Sequence, residues 1–169
     1  MNKNELLNTL KNKNYKFVEH LHAEVFTVEE SKKLTINIAG AHTKNLFLKN
    51  KKNNFYLLSC LNSTKVDLKL FSKKIGSGNL SFANSLHLQN LMKIKPGSVS
   101  PFGLLNDVKN EIFFYLDKKI TKFHVVNFHP FINNSTISID TKDFFDLMVA
   151  NKKIINIYDF TTNENLKYE

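Results

Sequence analysis

The chain has 169 residues, with 24 basic residues that are all lysine, 15 acidic residues and a formal net charge of +9. Its 42% hydrophobic content, with fifteen Phe and five Tyr against five Gly and three Pro, describes one folded domain with a sizeable core and excludes a disordered or low-complexity chain. No apolar run approaches the roughly 18 to 20 residues that cross a bilayer, and the N-terminus lacks the apolar stretch and small-residue cleavage site of a secretory signal, so a cytoplasmic protein is expected. The single cysteine, Cys60, permits neither an internal disulfide nor a CxxC metal cage. Lys, Asn, Ile and Phe all have AT-rich codons, so part of the basicity is attributable to base composition. The surplus still favours phosphate polyanions, through point charges rather than the bidentate forks of arginine.

In chain order, residues 4–13 read as a short helix with Leu6, Leu7 and Leu10 on one face, and a strand starts within Lys16–Glu19. Thr27 and Glu30 have capping-box spacing for a helix running to about Leu34, with His20, His22 and Glu24 just before it. Lys44–Leu48 and Phe55–Cys60 flank the polar turn Lys49–Asn54 as a β-hairpin. Asp67–Lys74 reads as a helix stopped at Gly76 and Gly78, and Ser81 as the cap of another carrying Phe82, Leu86, Leu91 and Met92. Residues 95–103 hold two of the three prolines and form the most constrained loop. Strands follow at Ile112–Leu116, Phe123–Phe128 and Thr136–Ile139, then a helix capped by Thr141 and running to Ala150, then a strand at Ile154–Tyr158. The expected fold is α+β, a single mixed domain over residues 1–160 with a mostly antiparallel sheet surrounded by helices, followed by a mobile polar tail at 161–169.

Common catalytic signatures are missing. There is no GxSxG elbow and no Walker loop, and Gly76-Ser77-Gly78 lacks the third glycine of a dinucleotide fingerprint. His20 and His22 share one strand face but have no HExxH or cysteine partner nearby, so structural or surface roles outweigh metal binding. Cys60 ends an apolar strand and reads as a small hydrophobe.

Three segments stand out. Lys44, in Thr43-Lys44-Asn45-Leu46-Phe47-Leu48, could grip a phosphate or be an ordinary exposed lysine among 24. The loop Gly97-Ser98-Val99-Ser100-Pro101 could bring backbone N–H groups to an oxyanion, or could simply turn the chain from helix to strand. His129, in Asn127-Phe128-His129-Pro130 with Asn133 nearby, could line a pocket or hydrogen-bond its own turn.

In this order and spacing the three segments resemble the YbaK-type aminoacyl-tRNA editing family, over about His22 to Met148. Thr43–Leu48 is similar to the strand bearing the family's lysine, Gly97–Pro101 to its GxxxP loop, continued by Phe102–Asp107, and Asn127–Pro130 with Asn133 to its late histidine motif. The nearest branch is that of the freestanding prolyl-tRNA editing proteins. The resemblance implies a single mixed α/β domain without metal or other cofactor. It also implies hydrolysis of the ester at the acceptor end of a tRNA, with alanine on tRNA(Pro) as the expected substrate.

On that resemblance Lys44 would bind the phosphate at the terminal adenosine, and backbone groups around Gly97 and Pro101, with Ser98, Val99 and Ser100 between them, would orient the ester carbonyl or the water. His129 would shape the aminoacyl pocket, with Asn45 and Asn133 as polar contacts. The implied partners are the acceptor end of tRNA(Pro) and prolyl-tRNA synthetase, and no membrane; a monomer is the default at this size. Two alternatives remain: a deacylase for cysteine on tRNA, and a non-catalytic module that binds tRNA or a synthetase.

Overall fold

The computed structural model describes residues 1–24 and 37–167, and the helix expected over 27–34 lies outside these. In chain order the elements are α1 (Lys3–Asn12), β1 (Phe17–Leu21), β2 (Ala41–Lys49), β3 (Phe55–Leu61), α2 (Leu68–Lys74), β4 (Ser81–Phe82) and α3 (Ser85–Met92), then a 3-10 segment (Pro101–Asn106). There follow β5 (Ile112–Asp117), a second 3-10 segment (Lys118–Lys122), β6 (Val125–Phe128), β7 (Ser135–Asp140), α4 (Thr141–Ala150), β8 (Ile155–Asp159) and β9 (Glu164–Lys167).

The strands form one sheet in the order β1-β7-β6-β2-β3-β5-β8-β9, with β4 added to β2. Of the eight pairings among the described residues, β2–β6, β3–β5 and β5–β8 are parallel and the other five antiparallel, so the fold is the expected α+β arrangement. Strand β2 is the centrepiece. Its first residues, Ala41 and His42, pair with β6, and Thr43–Lys49 pair with β3 on the other edge. At its far end Leu48 and Lys49 pair with β4, so β6 and β4 leave the middle of that edge unpaired by any described strand.

Side-chain alternation divides the sheet into two faces. One face carries Ala41, Phe47, Leu57, Phe114, Leu116, Val126, Phe128, Ile137, Ile139, Ile155 and Ile157, packed beneath Leu6 and Leu10 of α1, Met92 of α3, Phe102, and Phe144 and Met148 of α4. Burying this many large side chains, each worth about 1.5–3 kcal/mol, supplies the main drive to fold. The opposite face has a smaller core at the β2–β3–β5–β8 end, where Leu48, Tyr56, Leu58, Tyr115 and Tyr158 pack against Phe71 of α2. At the β1–β7–β6 end that face is polar.

Local chemistry explains the element limits. The Asn2 side chain and Glu5 form a complete capping box for α1, and Asp67 caps α2 by accepting the Leu70 N–H. In the β2–β3 turn the Asn50 carboxamide oxygen accepts the N–H groups of Lys52 and Asn54, and Asn53 takes a left-handed φ of 58°.

Three expectations are corrected. Ser81 does not cap a helix: Ser81 and Phe82 pair with β2, and Asn84 caps α3 by accepting the His87 N–H at 2.9 Å. Asp140, rather than Thr141, caps α4, by accepting the Lys142 N–H at 2.9 Å. The segment read as a mobile tail supplies β9, whose Glu164–Lys167 stretch pairs with β8, because β8 would otherwise leave its outer edge without a ladder partner.

Candidate active site

The polar end of the sheet follows from strand alternation. In β6, Val126 and Phe128 enter the main core while Asn127, and His129 just beyond the strand, face the other way. In β7, Ile137 and Ile139 are core residues, which puts Thr136 and Ser138 on the face of Asn127, the register partner of Ser138. His20 sits opposite Thr136 on β1, and His42 opposite Asn127 on β2. The result is a buried polar surface: Asn127, Thr136 and Ser138 are each under a tenth exposed.

Their hydrogen bonds form a connected set. The Ser138 hydroxyl donates to the Asn127 carboxamide oxygen at 2.5 Å and lies 2.9 Å from His20 Nε2. Asn127 Nδ2 donates to the Ala39 carbonyl at 3.0 Å, and His22 Nε2 lies 2.9 Å from the Thr136 hydroxyl. His42 Nε2 donates to the Ile38 carbonyl at 2.7 Å, so residues 38 and 39 are tied over this surface from two strands. Satisfied networks of this kind hold buried polar groups in one arrangement.

Where β2 and β6 part beyond His42, a small cleft opens. It is lined by His42, Thr43, Asn45, Asn62, Asn127, Phe128, His129 and Thr136. The Thr43 hydroxyl donates to the Asn127 carbonyl at 2.9 Å, bridging the two strands at the fork. Asn45 is fixed by the Ser59 hydroxyl, which donates to its Oδ1 at 2.6 Å and leaves the amide group of Asn45 as the donor end.

His129 has a defined tautomer. Nδ1 stands 2.7 Å from the Ser135 carbonyl, which only accepts, so Nδ1 carries the hydrogen and Nε2 of the neutral ring is an acceptor. Burial pushes its pKa below the ordinary histidine value against the raising effect of that carbonyl, and His22, with ring centroids 5.9 Å apart, lowers it further. A neutral imidazole whose second nitrogen is an acceptor suits holding a substrate hydrogen rather than an anion.

The Gly97–Pro101 loop reaches this site from the rear. Ser100 is fully buried and its hydroxyl donates to the His129 carbonyl at 2.7 Å. Gly97 takes a φ of 88°, and the Ser98 N–H closes a turn onto the Lys95 carbonyl at 3.2 Å. Pro101 opens the 3-10 segment, with Phe102 behind it stacked edge-on to Phe128 at 5.8 Å. Gly97, Ser98, Val99, Ser100 and Pro101 are not among the cleft's lining residues. Asn133 lies in the turn between β6 and β7.

Lys44 follows His42 by two positions and so shares the polar face, while Asn45 turns to the other. Its ammonium donates to the Thr64 carbonyl at 2.5 Å and to the Asn62 carbonyl at 3.4 Å; Asn62 lines the cleft, and Lys44 is not itself among the lining residues. Thr64 is itself held by Asp117, a fully buried carboxylate 2.6 Å from its hydroxyl. Cys60, opposite Lys44 on β3, is buried, and burial pushes its thiol up to about 12, which removes it as a nucleophile. Among the described residues no three His, Cys, Asp or Glu side chains are grouped to hold a metal.

Sequence reasoning missed His42, Thr43, Asn62, Asn127, Phe128 and Thr136 as lining residues. Alternation in β6 and β7 was a usable signal for Asn127 and Thr136, since polar residues alternate there with core Val, Phe and Ile.

Comparison with known proteins agrees with this architecture. The aminoacyl-tRNA editing domain family matches residues 22–147. The prolyl-tRNA editing protein ProX of Acetoanaerobium sticklandii is 38% identical over 139 residues, covering 82% of this chain and 84% of its own. The prolyl-tRNA synthetase associated domain-containing protein 1 of Xenopus laevis is 38% identical over 128 residues, covering 73% of this chain and 76% of its own. A crystal structure described as a candidate trans-editing enzyme for prolyl tRNA synthetase shares the fold at a TM-score of 0.66 and 19% identity, over 90% of this chain and 93% of its own. A family match across most of the chain, curated relatives of similar length and a shared fold agree: the chain belongs to the aminoacyl-tRNA editing domain family.

Proposed function

We propose that this protein is a trans-acting deacylase that hydrolyses the ester of alanine mischarged onto tRNA(Pro). The observation that carries the reading is the junction at His129: the residue lines the cleft and its carbonyl accepts the Ser100 hydroxyl of the GxxxP loop. The GxxxP loop, none of whose residues lines the cleft, is thus hydrogen-bonded to a residue that does, 29 positions further along the chain. Membership of the editing family and the similarity to ProX support the choice of an aminoacyl-tRNA substrate.

The chemistry asks little of the protein. Water attacks the ester carbonyl, the tetrahedral oxyanion collapses, the ribose oxygen leaves with a proton, and free alanine departs. An aminoacyl ester is already activated, so positioning and oxyanion stabilisation are sufficient, and a catalytic triad is not required. In this reading Lys44 leaves the Asn62 and Thr64 carbonyls to meet the phosphate of the terminal adenosine. Backbone groups from Gly97 to Pro101 orient the carbonyl or the water, and Asn45 and His129 bound the aminoacyl pocket, with Asn133 on the turn behind. The neighbouring ribose hydroxyl of the tRNA serves as the proton relay.

Selectivity has a steric basis. A synthetase pocket built for proline cannot strongly reject the smaller alanine, whereas a second small site can exclude proline by size. The cleft here is small, with His42, Phe128 and His129 among its lining residues.

The test is deacylation of alanyl-, cysteinyl- and prolyl-tRNA(Pro) by purified protein with chelator present. Loss of alanine alone supports the proposal, preferential loss of cysteine assigns the sister activity, and no hydrolysis by folded protein leaves a binding module. Lys44→Ala should lower kcat/KM about 10²–10³-fold, the range for removing one electrostatic contact to the reacting region. A folded Lys44→Ala variant with the wild-type rate removes the central residue of the mechanism.

A further inference from the structure

The net charge of this chain is localised. Residues 43–106 hold ten lysines and one acid, Asp67, while the rest of the chain holds fourteen lysines and fourteen acids, so the whole +9 sits between β2 and the first 3-10 segment. Folding gathers part of it around a groove. Asn50 joins the β2–β3 turn to the turn after α2, because its Nδ2 donates to the Ser77 carbonyl at 2.8 Å while its Oδ1 organises its own turn.

Two clefts of about 440 and 370 Å³ meet at this junction and share Gly76, Gly78 and Asn79. Lys51 and Lys52 border one, and Lys69 and Lys73 border the other. All four lysines are exposed, and none takes part in an ion pair among the described residues. Asp67, the one acid of the stretch, is occupied in capping α2. Unneutralised like charges around a concavity raise the local concentration of anions.

The groove lies on the side of the sheet that carries His42, Asn127 and Thr136 of the cleft's lining, while Thr43 and Asn45 enter the cleft from the other face. Leu48 alternates with His42 and Lys44 along β2 and packs on Phe71 of α2, so α2 covers the face that carries the polar site. At about 3.4 Å per residue, the β2–β3 turn after Lys49 lies about 20 Å from Thr43 at the cleft. A duplex with its end in the cleft would pass over α2 within that span.

We propose that the lysine-bordered groove between the β2–β3 turn and α2 is the docking surface for an RNA sugar-phosphate backbone, specifically the duplex stem whose ester end enters the cleft. The proposal rests on the deacylase reading for the identity of the RNA. Lysines are point charges that contact phosphates without reading bases, so the groove supplies salt-dependent affinity and leaves discrimination to the cleft.

The test compares two variants of equal charge: Lys51→Gln/Lys52→Gln/Lys69→Gln/Lys73→Gln in the groove, and Lys13→Gln/Lys109→Gln/Lys122→Gln/Lys142→Gln elsewhere. Binding of uncharged tRNA(Pro) is followed by fluorescence anisotropy across a salt series, with circular dichroism to confirm folding. The groove variant should bind at least about tenfold more weakly and lose about 0.7–0.9 in the slope of log K against log salt per phosphate contact removed, while the control changes by less than about twofold. Equal losses in both variants would reduce the effect to net charge and overturn the proposal. So would unchanged tRNA affinity in the groove variant together with weaker binding to phosphatidylserine vesicles, which would assign the surface to a membrane. Because the probe is uncharged tRNA, a wild-type protein without deacylase activity overturns the catalytic reading alone, and the anisotropy comparison still decides the groove.

Discussion

Ser100→Ala isolates the link between the GxxxP loop and the cleft. The residue is fully buried, and its hydroxyl makes a 2.7 Å hydrogen bond to the His129 carbonyl. Truncation removes the donor and leaves that carbonyl without its side-chain partner in a dry setting, at a cost of about 1–3 kcal/mol. For a chain of this length each kcal/mol corresponds to about 2–4 °C in Tm, so a fall of about 2–12 °C is expected. If the bond also holds His129 against the loop in the transition state, kcat falls about tenfold for each 1.4 kcal/mol of lost positioning. Urea titration with an unchanged m-value and single-turnover deacylation of alanyl-tRNA(Pro) separate the two effects. Wild-type Tm and wild-type kcat in the same preparation would show that the bond neither stabilises the fold nor couples the motifs.

Gly40→Ala should destabilise the entry to β2, because a Cβ there would meet the Val125 carbonyl oxygen at 2.6 Å on a backbone with φ of 102°. A loss of about 1–3 kcal/mol, read by thermal melting, is expected, and a Tm within a degree of wild type would refute the steric argument. For His129 the folded-state pKa is lowered, so the unfolded chain binds the proton more tightly and the residue's contribution to stability declines as pH falls below the ordinary histidine value of about 6.5. His129→Asn should flatten that part of the Tm–pH curve while its amide can still donate to the Ser135 carbonyl; an unaltered slope would assign the acid sensitivity to other groups. Cys60, buried with its thiol pushed up to about 12, should resist iodoacetamide at pH 8 until the protein is denatured, and rapid alkylation of native protein would contradict its burial.

Features governed by a few neighbouring residues were legible in the sequence by itself. The helices α1 and α2, the hairpin around Lys49–Asn54 and the strand that became β6 all depend on local periodicity and turn chemistry. The three motifs and their order pointed to the editing family for the same reason, since each is a short local pattern. Only the tertiary structure decided which strands are neighbours. The parallel pairings β3–β5 and β5–β8 join residues 57 and 41 positions apart and leave no trace in any local window. Ser81 and Phe82 read as a helix start until the edge of β2 offered them ladder partners, and the polar tail became β9 because β8 had an open edge.

The cleft belongs to the same class. His42 and Thr43 line it because β2 and β6 separate just beyond their two shared pairs, and Asn62 joins them through its N–H bond to the His42 carbonyl. Alternation along a strand determines which residues share a face, but burial and pairing decide which face meets water, substrate or core, and those depend on contacts far apart in the chain.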